Sequence, residues 1–538
     1  MTDHDALYHA ILAQPASDTP RLVYADWLEE NGRGLEAAFI RVQCRLESLP
    51  PDDPEVPQLL DDQEELRLKL TTFVPGPQVR FATGLSVDAG PNWWYWTQRG
   101  FPRFLEFEGL GRGGLKIMRQ LAKALEKAFT LLPTRWLVLR LVTIEQLAEL
   151  LQQPVIAQLD QLTVQLEQSG EMGEAAVRLL THCPRLSNLR GMSLGFAIGE
   201  AAADILAQAP HWGGLRWLSL EARELTPLAL RTLTAARWVR DLRELSLDEG
   251  LTDPSFQELC RAQPLPHLHT LNLIDTTFSL AAWQVFAQSQ SFPALRQLNL
   301  TRSDLSNGRF AALAEAPHLS LAALDLTACA IGDAGAEALV AAPWAEALMR
   351  LDLRHNDLGP SGVARIAGCP RFTRLRHLDL SYSRPGIRGL MTLAANPALR
   401  GLTALHLNSY PEHNRGLTTD HLQRFLARLE LPHLRHLSLS GRPLGPAVQE
   451  LTAPRFATLT RLELADCQLT NPDVQMLLSA PPLQNLIELD LTNNRLTTGL
   501  KPLTQSGTLP QLARCLLSGR HLPASLARRL KRRPGVMV

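Results

Sequence analysis

Residues 348–370 read LMRLDLRHNDLGPSGVARIAGCP. Leucine at the first, fourth and sixth places alternates with polar residues, the period of two expected of a short strand with one buried face. The remainder, GPSGVARIAGCP, begins at Gly359-Pro360, continues through an aliphatic stretch and stops at Pro370, which predicts a helix. The same spelling returns as LRQLNLTRSDLS from Leu295, LAALDLTACAIG from Leu321 and LIELDLTNNRLT from Leu486, so the rule is L-x-x-L-x-L-x-x-(N/C/S)-x-(L/I). Its first leucine stands at 215, 242, 268, 295, 321, 348, 375, 402, 434, 459, 486 and 512, a mean spacing of 27 residues. So many registered copies do not come from a leucine-rich composition alone.

A helix of about ten residues is wider than the strand it backs, so stacked copies must bend, with strands inside. The pattern is that of leucine-rich repeats. It resembles the ribonuclease-inhibitor type, although 27 residues is slightly short for the long members of that class. The expected fold is α/β: a leucine-rich-repeat solenoid, a horseshoe of parallel inner strands and outer helices, with a small N-terminal helical module. Composition agrees, with 45% apolar but only 6% aromatic residues filling a thin repeated core. Weaker copies, LDQLTVQLE from Leu159 and LRGMSLGFA from Leu189, precede the regular series, and RWLVLRLV near Trp136 reads as an earlier strand. GFPRFLEFEG followed by GGLKIMRQLAKALEKAF reads as strand then helix. The expected divisions are 1–75, a helical module; 76–135, a junction and degenerate first repeat; 136–517, the solenoid; and 518–538, a basic C-terminal cap.

Within 1–75, DHDALYHAILAQ, TPRLVYADWLEENG, LEAAFIRVQCRLESL and PEVPQLLDDQEELRLKL read as four helices, the second opening at Asp18 or Thr19 and ending at Asn31-Gly32. Its expected core face is Leu22, Val23, Trp27 and Leu28, with Asp26 solvated or capping. Trp93, Trp94 and Trp96 are expected to pack in the junction. The runs DTPRLVYADWLEENG (18–32), AAFIRVQCRLESLPPDDPE (37–55) and RGFPRFLEFEG (99–109) resemble the repeat-companion domain at the N-termini of many planctomycete proteins. That resemblance covers roughly the first 110 residues and implies architecture, with no activity to carry over.

Lys plus Arg equals Asp plus Glu at 54 each, so the whole-chain balance favours neither nucleic acid nor membrane as partner. The acidic start MTDHDALYHAILAQPASD does not read as a secretory signal and no apolar run is long enough to span a bilayer, so a cytoplasmic location is expected. Seven cysteines without a C-x-x-C pair suit buried thiols rather than a disulfide framework or metal ligands. The common phosphate-loop, zinc and nucleophile-elbow signatures are absent, and GLGRGG (109–114) reads as a loop joining repeats. The expectation is no enzyme, no cofactor and no metal.

The third, fifth and seventh places of each copy turn away from the leucines and would line the concave face. They include Trp217, Glu221, Glu244, Asp248, Asp325, Arg350, Asp352, Arg354, His377, Asp379, His406, His436, Arg461, Glu463, Glu488 and Asp490. Their formal charge of −6 predicts a protein partner with a basic or mixed-charge patch; second-place Arg216, Arg243, Arg296, Arg376 and Arg435, if folded inward, reduce it to −1. Asp325, Asp352 and Asp379 are expected to stack, with Arg350, Arg354 and His377 as compensating neighbours. His377, His406 and His436 form a candidate pH-sensing ladder. The interval from Leu402 to Leu434 is 32 residues, which places a rim loop at NSYPEHNRGLTT with Tyr410, His413 and Arg415 as contact candidates. Any soluble solenoid needs a polar inner face, so these residues have a passive reading as well. The function read from this is a non-catalytic interaction scaffold or inhibitor. The alternative is a regulator of the GTPase-activating type acting through Arg415. Arg528, Arg529, Lys531, Arg532 and Arg533 suit a capping helix C-terminus.

Overall fold

The computed structural model describes residues 2–70, 85–87, 97–98, 101–102, 104–108, 114–166, 172–248, 250–306, 308–414, 416–505 and 507–538. The Trp93, Trp94 and Trp96 cluster, Arg415 and all but the last residue of GLGRGG fall outside them. The chain forms two compact units, one of Met1–Pro51 and Thr72–Asn299, the other of Asp52–Thr71 and Leu300–Val538.

In the first unit, helices α1 (Asp3–Ala13), α2 (Thr19–Glu30) and α3 (Gly34–Ser48) form the N-terminal module. Thr2 and Asp5 close a capping box on α1, and Gly32, at φ +77°, turns the chain after α2. The buried face of α2 differs from the sequence expectation: Arg21, Tyr24, Ala25 and Leu28 point inward, whereas Leu22 and Val23 are exposed. Positions 21, 24, 25 and 28 share one helical face, and Arg21 meets its demands there by donating to the Ser17 carbonyl at 2.6 Å and lying over the Phe101 ring. Tyr8 ties the module to the repeats by donating its hydroxyl to the Leu131 carbonyl at 2.8 Å.

Parallel strands Leu105–Glu108, Trp136–Val142, Gln161–Leu166, Gly191–Ala197, Trp217–Glu221, Glu244–Asp248, Thr270–Asn272 and Gln297–Asn299 follow, each paired to the next. The degenerate copies make strands of six or seven residues, against three in the regular copies from 268. Leu85–Val87 pairs antiparallel to the first of them and covers that edge.

In the second unit the strands are Ala323–Asp325, Arg350–Asp352, His377–Asp379, Ala404–His406, His436–Ser438, Arg461–Glu463, Glu488–Asp490 and Arg514–Leu516, again parallel, with leucine opposite leucine up to Leu489, which faces Cys515. Helices such as Asp333–Ala341, Pro360–Ala367 and Asn471–Ser479 return the chain. Two copies depart from the expected α-helix: GPAVQELT (445–452) and TGLKPLT (498–504) are 3-10 turns, where Pro446 sits in the first turn and Pro502 removes an interior donor. At the C-terminus Val536–Met537 adds a last parallel strand, and Arg533 donates to the carbonyls of Leu503, Thr508 and Leu509.

The end of each regular strand is set by two places. The eighth is left-handed in copy after copy, at Asp275, Arg302, Ala328, His355, Tyr382, Asp466 and Asn493 with φ between 53° and 65°. The ninth side chain turns inward to bond the backbone thus bent. Asn356 accepts from the Cys329 and Ile331 amides and donates to the Leu326 and Leu353 carbonyls, and Asn494 repeats the scheme. Cys329 and Cys467 fill the same place, with Sγ on the Leu300 and Leu439 carbonyls; burial pushes the Cys329 thiol up to about 12. Both units are therefore α/β leucine-rich-repeat stacks, strands on one side and helices on the other.

Candidate functional site

From His377 onward the third- and second-place side chains of the second unit are buried or half-buried. Helix α4 (Val56–Lys69), read from the sequence as part of the N-terminal module, belongs to this unit and lies on its strand face. Its acids meet the rungs in order. Asp61 stands 3.1 Å from His377, Asp62 accepts from Arg435 at 2.8 Å, Glu65 pairs with Arg435 and accepts from Thr460 at 2.9 Å, and Glu64 lies 3.4 Å from Arg461. Val56, Glu65, Leu68 and Leu70 are buried. Burial by itself would raise the Asp61 carboxyl, but His377, Thr403 and Arg435 outweigh it and hold it low; for Glu64, Arg67, Arg461 and Arg514 do the same. The acid run Asp61, Asp62, Glu64 and Glu65 is the signal that sequence reasoning missed, because such a run on a helix ordinarily reads as a solvated face.

Around α4 the predicted residues form a closed network. His436 is buried and bonds Glu463 at 2.9 Å, Arg461 reaches Glu488 at 3.0 Å, and Arg514 reaches the other Glu488 oxygen at 3.0 Å. Burial, with the Arg461 charge beside it, drives His436 down to about 3, and burial lowers His406. The two imidazoles meet edge to face at 4.2 Å. Of the expected histidine ladder, only His406 and His436 are in contact; His377 pairs with α4 instead.

The fifth and seventh places lie outside the α4 ion pairs. The aspartate ladder forms as expected, with Asp325 opposite Asp352 and Asp352 opposite Asp379. Each aspartate also ends its strand by accepting the amide two residues on, at Thr327, Arg354 and Ser381, and Asp490 does so at Thr492. Burial and the charges of Asp379 and Asp325 raise the Asp352 carboxyl well above its ordinary range, although Arg354 pairs with it at 3.0 Å. Arg350 is exposed in the row beside them.

A group raised in the folded state is comfortable below its ordinary value and costs stability as pH climbs through the folded one. Asp352→Asn keeps the acceptor for the Arg354 amide and removes that cost. It should match the parent protein near pH 4 and be more stable by about 1–2 kcal/mol at pH 8, measured as the difference in unfolding midpoint across pH.

Beside the ladder runs a row of rings. His355 stacks on Tyr382 at 4.0 Å, Tyr382 on Tyr410 at 4.4 Å, and Tyr410 meets His413 edge-on at 5.4 Å. The first two occupy the left-handed eighth place. In the copy from Leu402 the inserted segment supplies Tyr410 to the same row. Arg442, in the ninth place of the next copy, holds that segment: it donates to the Leu407 and Ser383 carbonyls and to Asn414 Oδ1, while Asn414 donates to the Gly441 carbonyl at 2.6 Å. Gly441, at φ +77°, is required there because a Cβ would come within 1.9 Å of the Ser409 carbonyl. Arg415, on which the GTPase-activating reading depends, is outside the described residues.

In the first unit Trp217 meets Trp136 edge to face at 5.5 Å, Glu221 lies 3.3 Å from Arg223, Glu244 accepts from Asn272 at 3.2 Å, and Asp248 is opposite Glu221. Among the described residues no group of His, Cys, Asp and Glu is placed to hold a metal ion, and no helix is long and apolar enough to cross a membrane.

The leucine-rich-repeat family model matches residues 319–340, 348–367 and 457–478, three copies of the second unit. No curated protein matches the sequence. Among solved structures the chain is similar to an internalin from Listeria monocytogenes, at 20% identity over 62% of this chain and 82% of that one with a TM-score of 0.39. It is also similar to the yeast Rad7 and Elc1 complex, at 18% identity over 80% of this chain and 88% of that one with a TM-score of 0.40.

Proposed function

We propose that this leucine-rich-repeat protein is a non-catalytic interaction scaffold that takes a basic segment of a protein partner on the acid–aromatic strip of its second unit. The observation that carries the reading is the pairing of two rows: the like-charged ladder Asp325, Asp352 and Asp379, and the stacked rings of His355, Tyr382 and Tyr410. Three carboxylates on adjacent rungs repel one another, and an incoming lysine or arginine relieves that repulsion. The exposed ring of Tyr410 next to them adds cation–π attraction for the same side chains. Helix α4 supports the choice of rows, because it takes up His377, Arg435 and Arg461 and leaves the remaining strip more acidic than the inner face as a whole. The ribonuclease-inhibitor-like type and the repeat-companion module remain the frame of this proposal.

Affinity capture from native lysate, with quantitative mass spectrometry, compares the parent chain with Asp352→Lys/Asp379→Lys and with Tyr382→Ala. A stoichiometric partner should be lost with the first variant and reduced about tenfold with the second, with both variants still folded by circular dichroism. A partner captured equally by all three chains would sink the site assignment.

A further inference from the structure

The first unit carries a cationic row that lies apart from the proposed strip. Arg190, Arg216, Arg243, His269 and Arg296 occupy the second place of five successive copies. Their backbones are joined directly: Arg216 donates its amide to the Arg190 carbonyl at 2.7 Å, Arg243 to Arg216 at 2.7 Å, His269 to Arg243 at 2.8 Å and Arg296 to His269 at 2.9 Å. Successive side chains therefore start about 4.8 Å apart. Arg216 and Arg296 are posed alike, each giving one Nη to the preceding leucine carbonyl at 3.0 Å.

Arg190, Arg216 and Arg243 line a 460 Å³ cleft together with Pro15, Ala16 and Phe101. The carboxylate nearest Arg216 is Asp241, at 3.9 Å; among the described residues no carboxylate lies within 4.0 Å of Arg190 or Arg243. Adjacent guanidinium groups in such a row repel until an anion arrives.

The same protein shows what this place in the repeat grips. Arg435 is its counterpart in the second unit, and there it holds Asp62 and Glu65, two carboxylates three residues apart on one helix. The neighbouring second-place residue, Thr460, donates to Glu65 as well. A planar guanidinium suits carboxylate in this way, and an i, i+3 pair presents both carboxylates from one helical face. We propose that the arginine row Arg190, Arg216 and Arg243 is a second docking surface, for an acidic helical segment of a partner protein. Carboxylates of the cleft itself, Glu47, Asp160 and Glu244, stand among the arginines. They repel a densely charged phosphate backbone more strongly than a helix that presents two carboxylates, which favours acidic protein over nucleic acid.

The test uses the full chain and a fluorescein-labelled peptide of residues 54–70, PEVPQLLDDQEELRLKL, the acidic helix already seen on the second unit. Fluorescence anisotropy at 0.15 M salt should show saturable binding that weakens at least tenfold in Arg190→Glu/Arg216→Glu/Arg243→Glu. Binding should weaken by a smaller factor in Arg216→Gln/Arg243→Gln, which keeps hydrogen-bond donors and guards against a folding defect. It should persist in Asp352→Lys/Asp379→Lys, so the outcome is separate from that of the acid–aromatic strip. Absence of binding to the parent chain, or equal binding to the triple variant, would overturn the proposal. So would a single-stranded oligonucleotide that binds more tightly than the peptide and is lost with the same arginines.

Discussion

Arg442→Ala is expected to destabilise the second unit by about 3 kcal/mol, the combined effect of a cavity and of carbonyls left without donors. Arg442 is among the largest side chains that are completely buried, at 1% exposure. It stands where the other copies place Asn356, Cys329 or Cys467, and its Nε bonds the Leu407 carbonyl at 2.7 Å just as those side chains bond the equivalent carbonyl. The longer side chain then reaches Asn414 at 3.0 Å, which no asparagine could do from that place. Burial without a carboxylate partner lowers its guanidinium to about 10, a cost accepted because the inserted residues 408–417 need a staple. Arg442→Asn should recover the bond to Leu407, and with it about half of the lost stability, yet still release the insertion. Chemical denaturation gives the first comparison. Hydrogen exchange at 408–417 gives the second, and it should be fast in both variants. A slow-exchanging insertion in Arg442→Ala would show that the loop is held by something else.

Arg435→Glu is expected to detach α4 without unfolding the repeats. Asp62 and Glu65 would lose their shared cation and face a like charge, at about 3 kcal/mol or more for a pair this enclosed. Hydrogen exchange across Val56–Lys69 should accelerate roughly a hundredfold, while the strand amides from Leu351 to Leu462 keep their protection. Arg400→Ala is the control: its partner Glu430 is exposed and the pair is 2.7 Å apart at the surface, so the change should be within about 0.5 kcal/mol. The same contact should respond to acid. Asp61 and Glu64 are held below their ordinary values in the folded state, so what they contribute is present above those values and fades as pH falls through the folded ones. Protection of α4 relative to the unfolded-chain exchange rate should therefore fall between pH 5 and pH 3, ahead of protection in the strands. Uniform loss across helix and strands would mean that α4 is an integral layer of the unit and not a separable one.

The link between the two experiments is the character of the inner face. With α4 seated, its cations are engaged and the carboxylate row at the fifth place sets the outward charge. With α4 released, His377, Arg435 and Arg461 return to solvent and the balance shifts towards positive.

The repeat was legible in the residues because everything that defines it is local and recurs. Leucines at the first, fourth and sixth places dictate the strand face, the ninth-place Asn or Cys must satisfy the backbone bent at the eighth, and a prolyl or glycyl boundary marks the helix. The aspartate ladder followed from that register alone, and the 32-residue interval from Leu402 marked the insertion that carries Tyr410. Three features needed the tertiary structure. Which face of α2 is inward turned on Arg21 finding a carbonyl and the Phe101 ring, so Leu22 and Val23 were left outside despite their hydropathy. Arg442 as a staple depends on an insertion that no other copy has. The seat of α4 depends on an ion pair and a hydrogen bond between residues 373 and 395 positions apart, and no periodicity encodes a contact of that separation. A sequence specifies which side chains a strand presents; the folded chain decides which of them its own acidic helix has already taken.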